Sequence, residues 1–217
     1  MSRTAIVIGA TGLVGKELLQ LLLQDGRFSQ VKILGRRSAG IHHHKLQEFI
    51  VDFEKPAQWK DLVHGDVLFS SLGTTIKAAG SKEAQYKVDH TFQYNVARAA
   101  AENGVPVYVL VSSAMADPHS KIFYTKMKGE LERDIRQLDF RQIHIMQPGM
   151  LDGKRKESRP GETIGTSALH FLNKFGILKK QKPVPAKTLA QAMINVSMKD
   201  TDGVNTYTLL QVFEEAG

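Results

Sequence analysis

Cysteine is missing from all 217 residues. Disulfides and thiolate zinc sites are therefore excluded, and the redox compartment is left open. Aromatic residues make up only 7% with a single tryptophan, and no aromatic–basic alternation offers a stacking platform for nucleic acid. No apolar run approaches the ~20 residues needed to span a bilayer, so no membrane partner is expected. The opening "MSRTAIVIG" enters a strand at once and leaves no room for a secretory signal, which makes a cytoplasmic location the default expectation. Linker-like stretches, repeats and low-complexity tracts are lacking too, predicting a single domain over residues 1–217.

What the chain has in excess is positive charge, a formal +7. It is densest in "DGKRKESR" (152–159) and "NKFGILKKQKP" (173–183). Solvated loops or helix faces are the plain reading of both. The first also suits an acidic small-molecule substrate or an acidic protein partner.

Short apolar runs alternate with amphipathic stretches. Strands are predicted at 4–10, 31–36, 46–53, 66–73, 106–114, 141–149 and 205–210. Helices are predicted at about 13–25, 82–103, 124–137, 163–175 and 186–199. Such alternation points to an α/β fold, a doubly wound and mostly parallel sheet with helices on both faces. In such sheets ligands sit beyond the carboxyl ends of the strands. Residues 9–15, 35–37, 71–77, 112–115 and 147–153 thus share one crevice, and residues 150–217 supply its substrate side.

The string "IVIGATGLVGKELL" sets Gly9, Gly12 and Gly15 between the first strand and the first helix. The first glycine permits a tight turn, the second lets a pyrophosphate approach the backbone, and the third lets helix and strand pack closely. Unpaired N–H groups at the helix start then face the anion. The gap Ala10-Thr11 makes this G-x-x-G-x-x-G rather than the commoner G-x-G-x-x-G. NAD sites place an acid about 20 residues on, to bind the ribose 2′-hydroxyl. Here that position reads Gly35-Arg36-Arg37. A guanidinium binds a 2′-phosphate that a carboxylate would repel, so NADP(H) is favoured over NAD(H). A pair of plain surface arginines is the alternative.

The fifth predicted strand ends in Ser112-Ser113 and is followed by "YTKMK". Tyr124 and Lys128 stand four apart and share a helix face, while Lys126 points elsewhere. Reduction of a carbonyl needs a proton donor, and tyrosine with its reference pKa of about 10 is a poor one alone. A nearby ammonium favours the phenolate and brings that value towards neutrality. A serine hydroxyl can hold the acceptor oxygen.

With these residues in view, the chain resembles the atypical short-chain dehydrogenase/reductases, and within them the Tat-interacting-protein-type oxidoreductase-like group. The likeness covers about residues 4–165 and rests on "GATGLVG", "LGRR", "SLGTT", "VSSAMAD", "YTKMKGE" and "QPGMLDGKRKESRPGE". It implies NADP(H) held by Gly9, Thr11, Gly12, Leu13, Val14 and Gly15, with Arg36 and Arg37 near the 2′-phosphate. It further implies Asp52-Phe53 beside the adenine and Leu72-Gly73-Thr74-Thr75 along the ribose side. Ser113, Tyr124 and Lys128 match the Ser-Tyr-Lys catalytic set, with Ser112 the fallback serine and a second cofactor contact. Pro148-Gly149-Met150 would flank the nicotinamide. One departure stands out: many relatives carry a relay asparagine where "YKVDHTFQYN" offers Asp89.

Three other families of protein share parts of this pattern. Phosphorylated-semialdehyde dehydrogenases share the glycine turn but need a cysteine nucleophile, which is absent. Sugar-nucleotide epimerases and dehydratases share the turn and the Tyr–Lys pair but need a larger C-terminal domain. An NADP(H)-sensing regulatory module with weak or no turnover is the rival from another class. The run "IHHHKLQEF" (41–49) invites a metal, but consecutive histidines project apart and no ligand stands at a familiar spacing, so no metal site is assigned.

Overall fold

Seven strands form one sheet in the computed structural model, which describes residues 2–152 and 183–217. They are β1 (Arg3–Ile8), β2 (Phe28–Gly35), β3 (Leu46–Ile50), β4 (Val67–Ser70), β5 (Val107–Val111), β6 (Gln142–Gln147) and β9 (Gly203–Thr208). Their order is β3-β2-β1-β4-β5-β6-β9, and every neighbouring pair is parallel. A short parallel pair, β7 (Leu151–Asp152) and β8 (Val184–Pro185), stands apart from it. This is the doubly wound order, with the switch point between β1 and β4.

The apolar runs explain the layering. Ala5 and Val7 of β1 face α1 (Leu13–Gln24) through Leu18, Leu19 and Leu22, and face α6 (Ala186–Val196) through Leu189, Ala190 and Met193. Ile6 and Ile8 face the other way, against Val96, Ala97 and Ala100 of α4 (Gln93–Glu102) and Leu131 and Ile135 of α5 (Phe123–Ile135). Each leucine buried in this way contributes about 1.5–3 kcal/mol. The two-residue period of a strand puts alternate side chains on opposite faces, so a continuous apolar run marks a sheet covered on both sides.

Two features depart from the expected elements. The stretch 82–103 is not one α-helix: α3 (Lys82–Tyr86) passes through a π-helical turn, Lys87–Phe92, before α4 begins. One inserted residue shifts the phase of a helix without erasing its apolar periodicity, so the pattern conceals it. Two short helices were also unmarked, α2 (Ile76–Ala79) and α7 (Leu210–Glu214). The helix expected at 163–175 and the basic stretches 153–159 and 173–182 lie outside the described residues. No helix among the described residues is long and apolar enough to cross a membrane.

Candidate active site

The crevice at the switch point is built from backbone at one end and from buried charge at the other. Gly9 turns the chain out of β1 with φ of +83°. A Cβ there would fall 2.5 Å from the Leu72 nitrogen, so β1 and β4 converge only because the position is glycine. A Cβ on Gly15 would lie 2.1 Å from the Gly9 carbonyl oxygen, and this contact lets α1 abut the turn. The Gly12 N–H donates to the Gly9 carbonyl at 2.8 Å, closing the loop. No side chain caps α1. The N–H groups of Leu13, Val14 and Gly15 therefore point out of its N-terminal end, among the described residues without an acceptor. Thr11 lies in the same turn, half-buried. The cradle fits a pyrophosphate: donors converge, and small residues leave the approach open.

Arg36 and Arg37 follow β2 directly, and both are exposed. Neither has a carboxylate partner among the described residues. Of the pair expected beside the adenine, only Asp52 is open to solvent, with Lys55 Nζ 3.5 Å from its Oδ2. The Phe53 ring is 3% exposed and packs between Trp59 and Phe92. The three histidines lie in the β2–β3 loop, where the rings of His43 and His44 stack at 4.4 Å. With Ser38, Ile41 and Glu48 they border an open hollow of about 570 Å³.

Beyond β4 the chain runs through Leu72, Gly73, Thr74 and Thr75, the last capping α2 by accepting the Ala78 N–H at 3.1 Å. Thr74 is held on both sides. Its N–H donates to Asp89 Oδ2 at 2.7 Å, and its carbonyl accepts from Gln85 Nε2 at 3.1 Å. Asp89 sits on the π turn and is 2% exposed, with Lys128 Nζ 3.7 Å from its Oδ1. Burial pushes the Asp89 carboxyl above its ordinary range, opposed by the Lys128 ammonium and the Thr74 N–H.

Helix α5 carries Tyr124, Lys128 and Glu132 at i, i+4 and i+8 on one face. Tyr124 is half-buried, Lys128 and Glu132 buried. At the end of β5 the two serines take different roles. The buried Ser112 hydroxyl donates a short hydrogen bond to Glu132, which also accepts Gln147 Nε2 at 2.9 and 3.0 Å. Ser113 is half-buried, and among the described residues its hydroxyl reaches only the Ala114 carbonyl, at 3.3 Å. Among the described residues the geometry therefore separates a serine tethered to a carboxylate from one that is not. After Ser113 the chain passes Met115, whose φ of +65° is unusual for a side-chain-bearing residue, and then crosses α5. Gly129 allows that crossing, because a Cβ there would come within 2.2 Å of the Asp117–Pro118 backbone. Pro148 is buried and its carbonyl accepts the Ala114 N–H at 3.0 Å; Gly149 and Met150 follow, half-buried. The ends of β5 and β6 are thus joined beside the serines.

Glu132, Gln147 and Gln93 were not singled out from the sequence. Glu132 had a usable signal, since it stands one helical turn beyond Lys128 on the Tyr124 face. Gln147 had none, because its partner Glu132 comes from another segment; Gln93 bonds Asp89 one turn earlier, but its link to Ser70 of β4 left no trace in the sequence.

Comparison with known proteins places the chain in a family. A family model described as NAD(P)H-binding matches residues 9–196. "Protein fmp52, mitochondrial" of Aspergillus fumigatus is 38% identical over 211 residues, covering 91% of this chain and 88% of that protein. "Protein FMP52, mitochondrial" of Saccharomyces cerevisiae is 41% identical over 158 residues, covering 71% and 68%. These names overturn the cytoplasmic expectation, which rested on absences in composition; relatives at this identity are named mitochondrial. Among solved structures, the Bordetella bronchiseptica enzyme WbmH in complex with NAD+ shares the fold, with a TM-score of 0.72 and 17% identity over 96% of this chain and 76% of that one. The oxidoreductase ylbE from Lactococcus lactis does so with a TM-score of 0.69 and 17% identity over 98% and 94%. With the glycine cradle, the doubly wound order and the match over residues 9–196 in agreement, the chain belongs to the NAD(P)H-binding family.

Proposed function

We propose that the protein is an NADP(H)-dependent reductase of the atypical short-chain class acting on a small carbonyl-like acceptor. The observation that carries this reading is the α5 face, where Tyr124 and Lys128 lie one turn apart on a helix tied through Glu132 to Ser112, the neighbour of Ser113. A nicotinamide bound across the crevice supplies the hydride. Tyr124 gives a proton to the acceptor oxygen, and Ser113 orients that oxygen by donating its hydroxyl hydrogen. Lys128 favours the tyrosinate and holds the ribose hydroxyls. Leu13, Val14 and Gly15 present their N–H groups to the pyrophosphate, while Arg36 and Arg37 receive the 2′-phosphate. The relatives' names point to a mitochondrial setting for the reaction.

Two experiments test this reading. Arg36→Glu should weaken NADPH binding at least about tenfold more than NADH binding, because it sets a carboxylate against the 2′-phosphate. Equal changes would refute the cofactor assignment. NADPH oxidation should be measured against aldehydes, ketones and quinones, with Tyr124→Phe as control. Turnover that disappears in the variant supports the reductase. Tight NADPH binding without turnover on any acceptor supports the alternative, a nucleotide-sensing module, which the acidic residue at position 89 favours.

A further inference from the structure

The two oxygens of the buried Asp89 carboxylate go to two different segments. Oδ2 accepts the Thr74 N–H from the loop after β4, and Oδ1 faces the Lys128 ammonium on α5. Burying an ionised carboxylate is costly, and removing either partner leaves charge or a polar group uncompensated. The π turn that presents Asp89 is itself held from the sheet. Gln93 Nε2 donates to the Asp89 carbonyl at 2.5 Å, and the Ser70 hydroxyl at the end of β4 donates to Gln93 Oε1 at 2.6 Å. Gln93 and Ser70 are fully buried. A chain of bonds thus runs from the end of β4 through the wide turn to the ribose-side loop and the lysine. π turns of this kind recur at functional sites, where they aim one side chain off the helical phase.

We propose that Asp89 is a positioning residue: one oxygen locks the 72–75 loop in its cofactor-facing conformation, and the other fixes the Lys128 ammonium on the Tyr124 face. The inference rests on the reductase reading for Lys128, whereas the loop half stands on the hydrogen bond alone. A merely structural ion pair would alter stability without separating these two effects. Substitution separates them. Asparagine keeps an oxygen for the Thr74 N–H but removes the charge facing Lys128, and alanine removes both.

The test compares wild type with Asp89→Asn, Asp89→Ala and Lys128→Met in the full chain, by amide hydrogen exchange over 72–76 and by NADPH titration. Asp89→Ala should speed exchange of the Thr74 amide about tenfold and weaken NADPH by a similar factor, as loss of a buried hydrogen bond to a charged group implies. Asp89→Asn and Lys128→Met should leave that exchange within about twofold of wild type, since the Thr74 bond survives. In turnover, Asp89→Asn should lower kcat with acceptor KM unchanged. Wild-type exchange in Asp89→Ala overturns the proposal, and so does equal acceleration in the alanine and asparagine variants. Should Asp89→Ala fail to fold, the asparagine and Lys128→Met pair still decides: fast exchange in either refutes the lock. Failure of the wild type to bind NADPH would instead refute the cofactor reading, and the exchange comparison, made without nucleotide, remains decisive for Asp89.

Discussion

The two ends of the crevice are made of different materials. At the glycine turn the exposed polar groups are backbone N–H donors, and the sequence contributes mainly by withholding side chains. On the α5 side the groups are charged side chains, each buried with a partner from another segment: Lys128 with Asp89, Glu132 with Ser112 and Gln147. A backbone site is insensitive to charge but intolerant of a single added methyl. A site of buried charges tolerates small changes of shape but not the loss of one partner. The first arrangement is local to a strand, a glycine turn and a helix; the second depends on loops and strands that meet across the sheet.

Three substitutions probe that contrast. Gly15→Ala should have the largest effect, costing about 3–4 kcal/mol or more and abolishing measurable nucleotide binding, because its Cβ meets the Gly9 carbonyl at 2.1 Å. Thermal denaturation and NADPH titration check it. A folded, binding Gly15→Ala protein would show that the backbone end is more pliant than described.

Glu132→Ala comes next. It strands the Ser112 hydroxyl and the Gln147 amide and should cost about 2–3 kcal/mol in urea denaturation, with Glu132→Gln losing roughly half as much. Near-equal losses would mean that the negative charge, not the hydrogen-bond acceptor, matters at Glu132.

The smallest effect concerns a buried ionisable group remote from the crevice. His144 of β6 is fully buried with Nδ1 3.1 Å from the Tyr207 hydroxyl, and burial lowers its pKa to about 4, aided by Lys199. The folded state keeps it neutral while the unfolded state takes up a proton below the ordinary value near 6.5. Stability is therefore lost as pH falls from about 7 to 5, by about 2 kcal/mol for this group. His144→Gln should flatten that dependence in denaturation series across the same range. An unchanged slope would assign the acid sensitivity to the crevice charges instead.

Much of the fold was legible because local chemistry dictates it. "TAIVIGA", "VYVLV" and the leucine-rich α1 announce buried strands and a helix by composition and period, and the three glycines mark where strand passes to helix. Arg36, Arg37, Tyr124 and Lys128 were visible for the same reason, since each lies at a fixed offset from such an element. Other features were not. Ser112 and Ser113 are indistinguishable in the string "VSSAM", and only the approach of Glu132 separates them. The π turn at 87–92 keeps the apolar spacing of an ordinary helix. The resemblance sets Phe53 beside the adenine, and only the fold shows that Trp59 and Phe92 enclose its ring.

The division follows from distance along the chain. Alternation of strands and helices, the glycine cradle and the i, i+4 pair on α5 are set by residues within a turn or two of one another, so the order of amino acids suffices to specify them. The tethering of Ser112, the burial of Asp89 between Thr74 and Lys128, and the isolation of His144 arise between residues 15 to 63 positions apart. Their energies depend on desolvation and on partners that meet only when the sheet is assembled, and that is why they emerge from the folded molecule and not from its sequence.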